Sequence, residues 1–282
     1  MKRLLTWLVD LLLYGHLWIA AAALAMTLQS RWLLAGIFRW TPLEGFIAGG
    51  TLALYALHRL VAMRMHLNIP LEGRYRQLYR YQVRVALIML AAGGVAAWYF
   101  WQLPHYLRWH LFVPSTIALG YVLPLLNGRR LRDFPYIKIF LIAGAWAWIT
   151  VAVPARELGL LHTLPTVLML IERATFVFAI TIPFDIRDLM LDASSSTATL
   201  PGHFGLKRAK WMALGSLGVT TLAVLANTYL GAYGTGATAA LLLSVGSSAA
   251  LIWGATPERH DYYFSGLLDG TMVFQAVLVF LF

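Results

Sequence analysis

Three aspartates fall within eight residues, at Asp185, Asp188 and Asp192, in the stretch PFDIRDLMLDASSSTATLPGHFG (183–205). If they continue one helix, each residue turns by about 100°, so positions i, i+3 and i+7 share an arc of about 60°. Arg187 then points to nearly the opposite side. Carboxylates on one stripe repel each other and resist ionisation unless a cation lies against them. Side chains that offer only oxygen at such density suit a hard divalent ion, Mg²⁺ in particular, shared with a phosphate-bearing substrate. The plainer alternative is a solvated helix end at a membrane surface, capped by Ser194 to Ser196.

The elements that must position these carboxylates are written in the composition. Of 282 residues, 60% are hydrophobic and 12% charged, with a mean hydropathy of +0.70. Soluble domains carry about 25% charged residues, so this is an integral membrane protein. A helix needs about 20 apolar residues to cross the hydrocarbon layer. Nine runs meet that length, at 7–29, 43–63, 83–102, 108–126, 136–154, 160–183, 209–230, 234–254 and 263–282. Strand-like alternation is absent, which favours an all-α bundle of nine transmembrane helices over a barrel. The first run is long and has no clear small-residue cleavage site, so it is expected to be retained. No soluble domain separates from the rest, and 1–282 reads as one transmembrane domain. With no cysteine, disulfides, thiol nucleophiles and Fe–S ligation are excluded.

The net charge of +10 is distributed by topology rather than as a nucleic-acid footprint. With nine spans and the N-terminus inside, seventeen of the 22 Lys and Arg fall on the inner side. Only Arg31, Arg39, Arg108 and Arg156 fall outside, and Arg173 lies within a span. That bias predicts a cytosolic N-terminus and an outer C-terminus, in a cell inner membrane. The two long polar connections, 64–82 and 184–208, are then both inner. Chemistry is expected beneath them, in a cavity lined by the second, fourth, sixth and seventh spans.

Downstream of Arg187-Asp188 and Asp192 come Thr199-Leu200, Gly205 and the basic pair Lys207-Arg208. This pattern resembles the second aspartate motif, R-D-x-x-x-D before a T-L segment and a glycine, of the UbiA superfamily of intramembrane prenyltransferases. A second stretch, GYVLPLLNGRRLRDFPYIKIFLIAGAW (120–146), is similar to that family's connection between its fourth and fifth helices, through Tyr121, Pro124, Arg129, Arg130, Pro135 and Lys138. The resemblance implies a UbiA-like bundle that transfers a prenyl group from its diphosphate to an aromatic or lipid acceptor. It implies catalytic roles for Asp185, Asp188 and Asp192, with Asp188 and Asp192 as Mg²⁺ ligands. Arg74, Arg76, Arg80, Arg129, Arg130 and Lys207 are the cations implied for the diphosphate.

The family's first motif, N-D-x-x-D-x-x-x-D at the end of the second span, has no counterpart. That region reads LYALHRLVAMRMHLN (54–68), without a carboxylate, and His58-Arg59 stand where Asn-Asp is expected. A fixed guanidinium at that depth can neutralise carboxylates as a metal would, so Arg59 is expected to face Asp185 or Asp188. The alternative function is a non-catalytic protein of this fold that binds an isoprenoid lipid or a membrane partner. Glu172 and Arg173 lie in mid-span, where ionisable groups mark a pair or a cavity; Asp269 is a candidate partner for Arg173 or Arg59. His16, His110 and His162 read as interfacial.

Overall fold

Lipid offers no hydrogen bonds to the backbone, so long apolar runs must close their own, as helices. The computed structural model of the protein has that architecture, with no strand among the described residues. The described residues are 2–65, 82–125, 128–189 and 198–282, the side chains of 2–7, 63–65 and 82 apart. Arg74, Arg76, Arg80 and Asp192 lie outside them.

Helix α1 spans Lys2–Tyr14, α2 Leu17–Ala35, α3 Pro42–Met65, α4 Gln82–Gln102 and α5 His105–Val122. Helix α6 runs over Ile137–Glu157, with a π-helical turn at Trp148–Ala152, and α7 over Leu164–Arg187. The short α8, Leu200–Phe204, leads into α9, Leu206–Tyr229. Helix α10 is Thr235–Gly254, and α11, Tyr263–Leu281, opens with a π-helical turn at Tyr263–Leu268.

Eight of these helices, all but α1, α5 and α8, are long and apolar enough to cross a membrane. The expected fourth span corresponds to α5, which is 18 residues long but starts with His105, Arg108 and His110. The first apolar run is divided. His16 adopts the left-handed conformation (φ 61°), which ends the helical hydrogen-bond ladder after Tyr14, so the first span is 17–35 rather than 7–29. The detached α1 leaves Leu8, Leu11 and Leu12 exposed, and its Asp10 accepts a hydrogen bond from Tyr262 at 2.5 Å.

Helix α7 is central. It packs along α9 and against α6, and its Phe176, Ile180, Ile182 and Ile186 join Met26, Ile139, Leu217 and Phe264 in the main core. Helices α3 and α4 approach closely through small residues, as membrane helices do. A Cβ on Gly49 would stand 3.0 Å from the Ala92 carbonyl oxygen and the Ala96 nitrogen, and one on Gly45 would enter the Tyr99 ring.

At one end of the bundle Arg31, at the close of α2, pairs with Glu44 (2.6 Å) and with Glu157. Glu44 also caps α3, accepting from the Thr41 N–H and hydroxyl at 2.7 Å each. Deep inside, Arg173 donates to Thr150 (2.9 Å), the Met26 carbonyl (3.2 Å) and Ser30 (3.3 Å), while Glu172 accepts from Tyr233 (2.9 Å). Neutral groups of α2 and α6 therefore hold Arg173, in place of the expected Asp269. A guanidinium buried inside a membrane bundle needs its donors satisfied, and hydroxyls and a backbone carbonyl do so without a second charge.

Candidate functional site

The end of α7 sets the site. Helical geometry stops at Arg187, and Asp188 takes the capping position (φ −89°, ψ 8°), its N–H bonded to the Phe184 carbonyl at 3.0 Å. Asp185, still on the helix, turns inward and is 1% exposed. Its counter-charge comes from the first turn of α6, where Lys138 Nζ lies 2.5 Å from Asp185 Oδ1. The turn before α6 makes that approach possible: Tyr136 is left-handed (φ 61°), and its N–H reaches the Ala198 carbonyl at 3.2 Å. The two stretches 120–146 and 183–205 thus meet at one place.

Arg59 is expected to face Asp185 or Asp188; here Lys138 pairs with Asp185 and Arg187 with Asp188. Arg59 donates to the Tyr14 carbonyl at 3.0 Å and lies over the Tyr14 ring. Nor does Arg187 point away from the carboxylates. Adjacent residues cannot face each other within a helix, but the helix ends between these two. Arg187 grips Asp188 with two bonds, Nε to Oδ1 at 2.8 Å and Nη2 to Oδ2 at 2.9 Å. Its Nη1 is 3.7 Å from Asp261 Oδ1, and its guanidinium lies over Phe184 and Phe264.

Around this point opens a cavity of about 410 Å³. Its wall comes from the end of α1, from α2, α3, α5, α6 and α7 and from the start of α11, with Arg130 and Arg132 from the α5–α6 connection. Helices α3, α5 and α7 are the expected second, fourth and sixth spans. The expected seventh span, α9, contributes none of the lining among the described residues, because it packs behind α7.

Five cations line the cavity, Arg59, Arg130, Arg132, Lys138 and Arg187, against the carboxylates Asp188, Asp261 and Asp269. Arg130 is held by Asp133 through Nη2–Oδ1 (2.8 Å) and Nε–Oδ2 (3.1 Å). Partial burial works to raise the Asp133 pKa, but the hydrogen bonds and charge of Arg130 outweigh it and hold the carboxyl below its ordinary value. Arg132 Nη1 meets His58 Nε2, and its guanidinium lies over the Tyr121 ring at 5.3 Å. A guanidinium can only donate, so His58 Nε2 is an acceptor and that imidazole is neutral. His58 and Arg59 both line the cavity, and so does His16, expected at an interface; Arg129 and Lys207 are exposed and lie off it. Tyr14, Trp18, Tyr55, Tyr121, Trp146 and Phe184 supply an aromatic lining.

Sequence reasoning missed Arg132, although it follows the basic pair by one residue and carries the same charge. It also missed the aromatic lining, since rings spread over six elements leave no local pattern. No group of three or more His, Asp or Glu side chains that could hold a metal ion occurs among the described residues. The two described carboxylates of the aspartate stretch have their oxygens turned to Lys138 and Arg187. Among the described residues this donor set does not fit a resident Mg²⁺; Asp192, the other expected ligand, lies outside them.

No protein-family model matches the sequence, and no curated protein matches it. The structure nevertheless matches solved structures over nearly its whole length. A UbiA homologue from Aeropyrum pernix K1 superposes with a TM-score of 0.68 at 14% identity, covering 96% of this chain and 99% of the other. A UbiA homologue from Archaeoglobus fulgidus, solved with GPP and Mg²⁺ bound, gives 0.64 at 13% identity, covering 96% and 98%. A structure concerning digeranylgeranylglyceryl phosphate synthase in membranes gives 0.56 at 11% identity, covering 99% and 98%. The chain is a multi-pass integral membrane protein with the fold of the UbiA homologues.

Proposed function

We propose that this protein is prenyltransferase-like. It takes a prenyl diphosphate with its anionic head among the cavity's cations and its chain along the aromatic wall, and transfers the prenyl group to an aromatic or lipid acceptor. The observation that carries this reading is the cavity itself, where guanidinium groups and aromatic faces share one concave wall at the end of α7. The solved homologue with bound GPP supports the choice of ligand class.

In such a site the allylic C–O bond breaks and its electron pair leaves with the diphosphate. Positive groups fixed beside the developing charge stabilise that departure without reorganising. The nearby rings of Tyr55 and Trp146 face an allylic cation with the negative side of their quadrupoles. The acceptor forms the new bond and loses a proton. Asp269 is the wall carboxylate suited to receive it, since it makes no hydrogen bond or ion pair among the described residues. In the same reading the N-terminus is cytosolic, the C-terminus lies outside in a cell inner membrane, and 1–282 acts as one domain.

A second reading, an isoprenoid-lipid binder without turnover, is favoured by one observation, the engagement of both Asp188 oxygens by Arg187. Labelled prenyl diphosphates supplied to membranes containing the protein, with extracted quinones and lipids as acceptors, separate the two. Transfer lost in Asp269→Asn with binding retained supports the enzyme. Binding without any labelled product supports the lipid-binding reading.

A further inference from the structure

We infer that the cavity recognises its diphosphate with fixed side-chain cations and needs no divalent ion to do so. This inference rests on the prenyl-diphosphate reading above and concerns how the same site meets the ligand's charge.

A metal-bridged diphosphate needs carboxylate oxygens that face the ligand and are free to coordinate. Here Asp188 spends both oxygens on Arg187, at 2.8 and 2.9 Å. Asp185 is turned from the cavity toward Lys138, at 2.5 Å. A guanidinium in bidentate contact fills the sector of the carboxylate that an ion would use, and its own charge repels a second cation. The other wall makes the same point. The end of α3 presents His58 and Arg59 to the cavity, a neutral imidazole and a cation, where a metal cradle would need carboxylates.

The cations that remain are of the right kind for an anion. Arg132 is met by two neutral groups, the His58 imidazole and the Tyr121 ring, and makes no carboxylate contact among the described residues. Its planar fork can bind two phosphate oxygens at once. His58 and Tyr121 both hold that fork in place. Arg130 is the N-cap of the turn Leu131–Asp133, oriented by Asp133 rather than left to rotate. A pre-positioned guanidinium loses little freedom on binding.

The test uses purified full-length protein in nanodiscs, with binding of geranyl, farnesyl and geranylgeranyl diphosphates measured in EDTA and again in Mg²⁺. The expected result is binding in EDTA for at least one of the three, with no gain on adding Mg²⁺. Arg132→Gln should weaken that metal-free binding by about tenfold or more, the worth of one charge-assisted hydrogen bond. Arg132→Lys should retain part of it, and Arg39→Gln, exposed in the α2–α3 connection, should leave it unchanged. Binding that appears only with Mg²⁺ overturns the inference while leaving the prenyl-diphosphate reading intact. No binding in either condition overturns both. Equal binding by Arg132→Gln and wild type in EDTA removes Arg132 as the anchor and the inference with it.

Discussion

Asp185 has almost no water with which to share its charge, and Lys138 is the group that makes its ionised form tolerable. Removing one member of a buried pair strands the other, at a cost of roughly 3–5 kcal/mol. Lys138→Met should therefore lower stability by about that amount, read as thermal unfolding in detergent. Lys138→Met with Asp185→Asn should recover most of the loss, because no charge is then left uncompensated. A single variant that melts like wild type would show that the pair carries no stability. His16 gives a second residue-scale expectation. Burial first, and then the Arg59 charge, draw its pKa from the ordinary 6.5 down to about 3. Below pH 6.5 the unfolded chain takes a proton that the folded one refuses, so stability falls as pH drops from 6.5 towards 3, by about 1.4 kcal/mol per pH unit. Above pH 6.5 both states are neutral there and His16 adds no slope. His16→Asn, which keeps a residue tolerant of the left-handed backbone, should flatten the acid limb of a melting-temperature profile.

Helices α3 and α4 show how little room the elements leave. Gly49 lies against the backbone of Ala92 and Ala96, atoms that cannot move aside as a flexible side chain would. Gly49→Leu should force the two helices apart and lower stability by about 1–3 kcal/mol, as overpacking does. Gly50→Leu, whose Cβ meets nothing within 4 Å, is the matched control. Equal melting of the two variants would mean that the close approach is not needed. At this scale much was legible in advance. Long apolar runs can only be helices in lipid, and eight of the nine expected spans are helices that satisfy both length and hydropathy. The exceptions have local causes. The 7–29 run looks continuous because Gly15-His16 interrupts geometry without interrupting hydrophobicity, and α5 is diluted by His105, Arg108 and His110. The site was legible in part. The aspartate stretch and the 120–146 stretch both reach the cavity, yet nothing in the residue types indicates that Lys138 lies against Asp185, because that contact depends on how α6 and α7 pack. The grip of Arg187 on Asp188 was misread for a different reason, since a helical wheel assumes a helix that in fact stops between them.

The whole molecule is polarised along the bundle axis. The cavity gathers the start of α2, the ends of α3, α5 and α7, and the starts of α6 and α11, all at one end. The opposite end holds the Arg31–Glu44–Glu157 cluster, which joins the close of α2, the start of α3 and the close of α6. These two sets are consistent only if successive spans alternate in direction. For α4 to finish at the Glu44 end and α6 to begin at the cavity end, α5 must cross as well, despite its polar first turns. On this proposed topology the chain crosses nine times and its termini lie on opposite faces. We propose the face from the cations, since in the sequence seventeen of the 22 Lys and Arg belong to the segments expected on the inner side. The arginines expected outside are few, and Arg31 is already neutralised by carboxylates within the bundle. A reporter that is active only outside the cytosol, fused after Phe282, should therefore be active, and a cytosol-dependent reporter at the same place should be silent. Fused within the connection after Arg187, the two should exchange behaviour. A C-terminal fusion that behaves as cytosolic would require either that α5 fails to cross or that the whole bundle is inverted. A further fusion in the α3–α4 connection distinguishes these, because inversion moves it outside, whereas a failure of α5 alone leaves it inside.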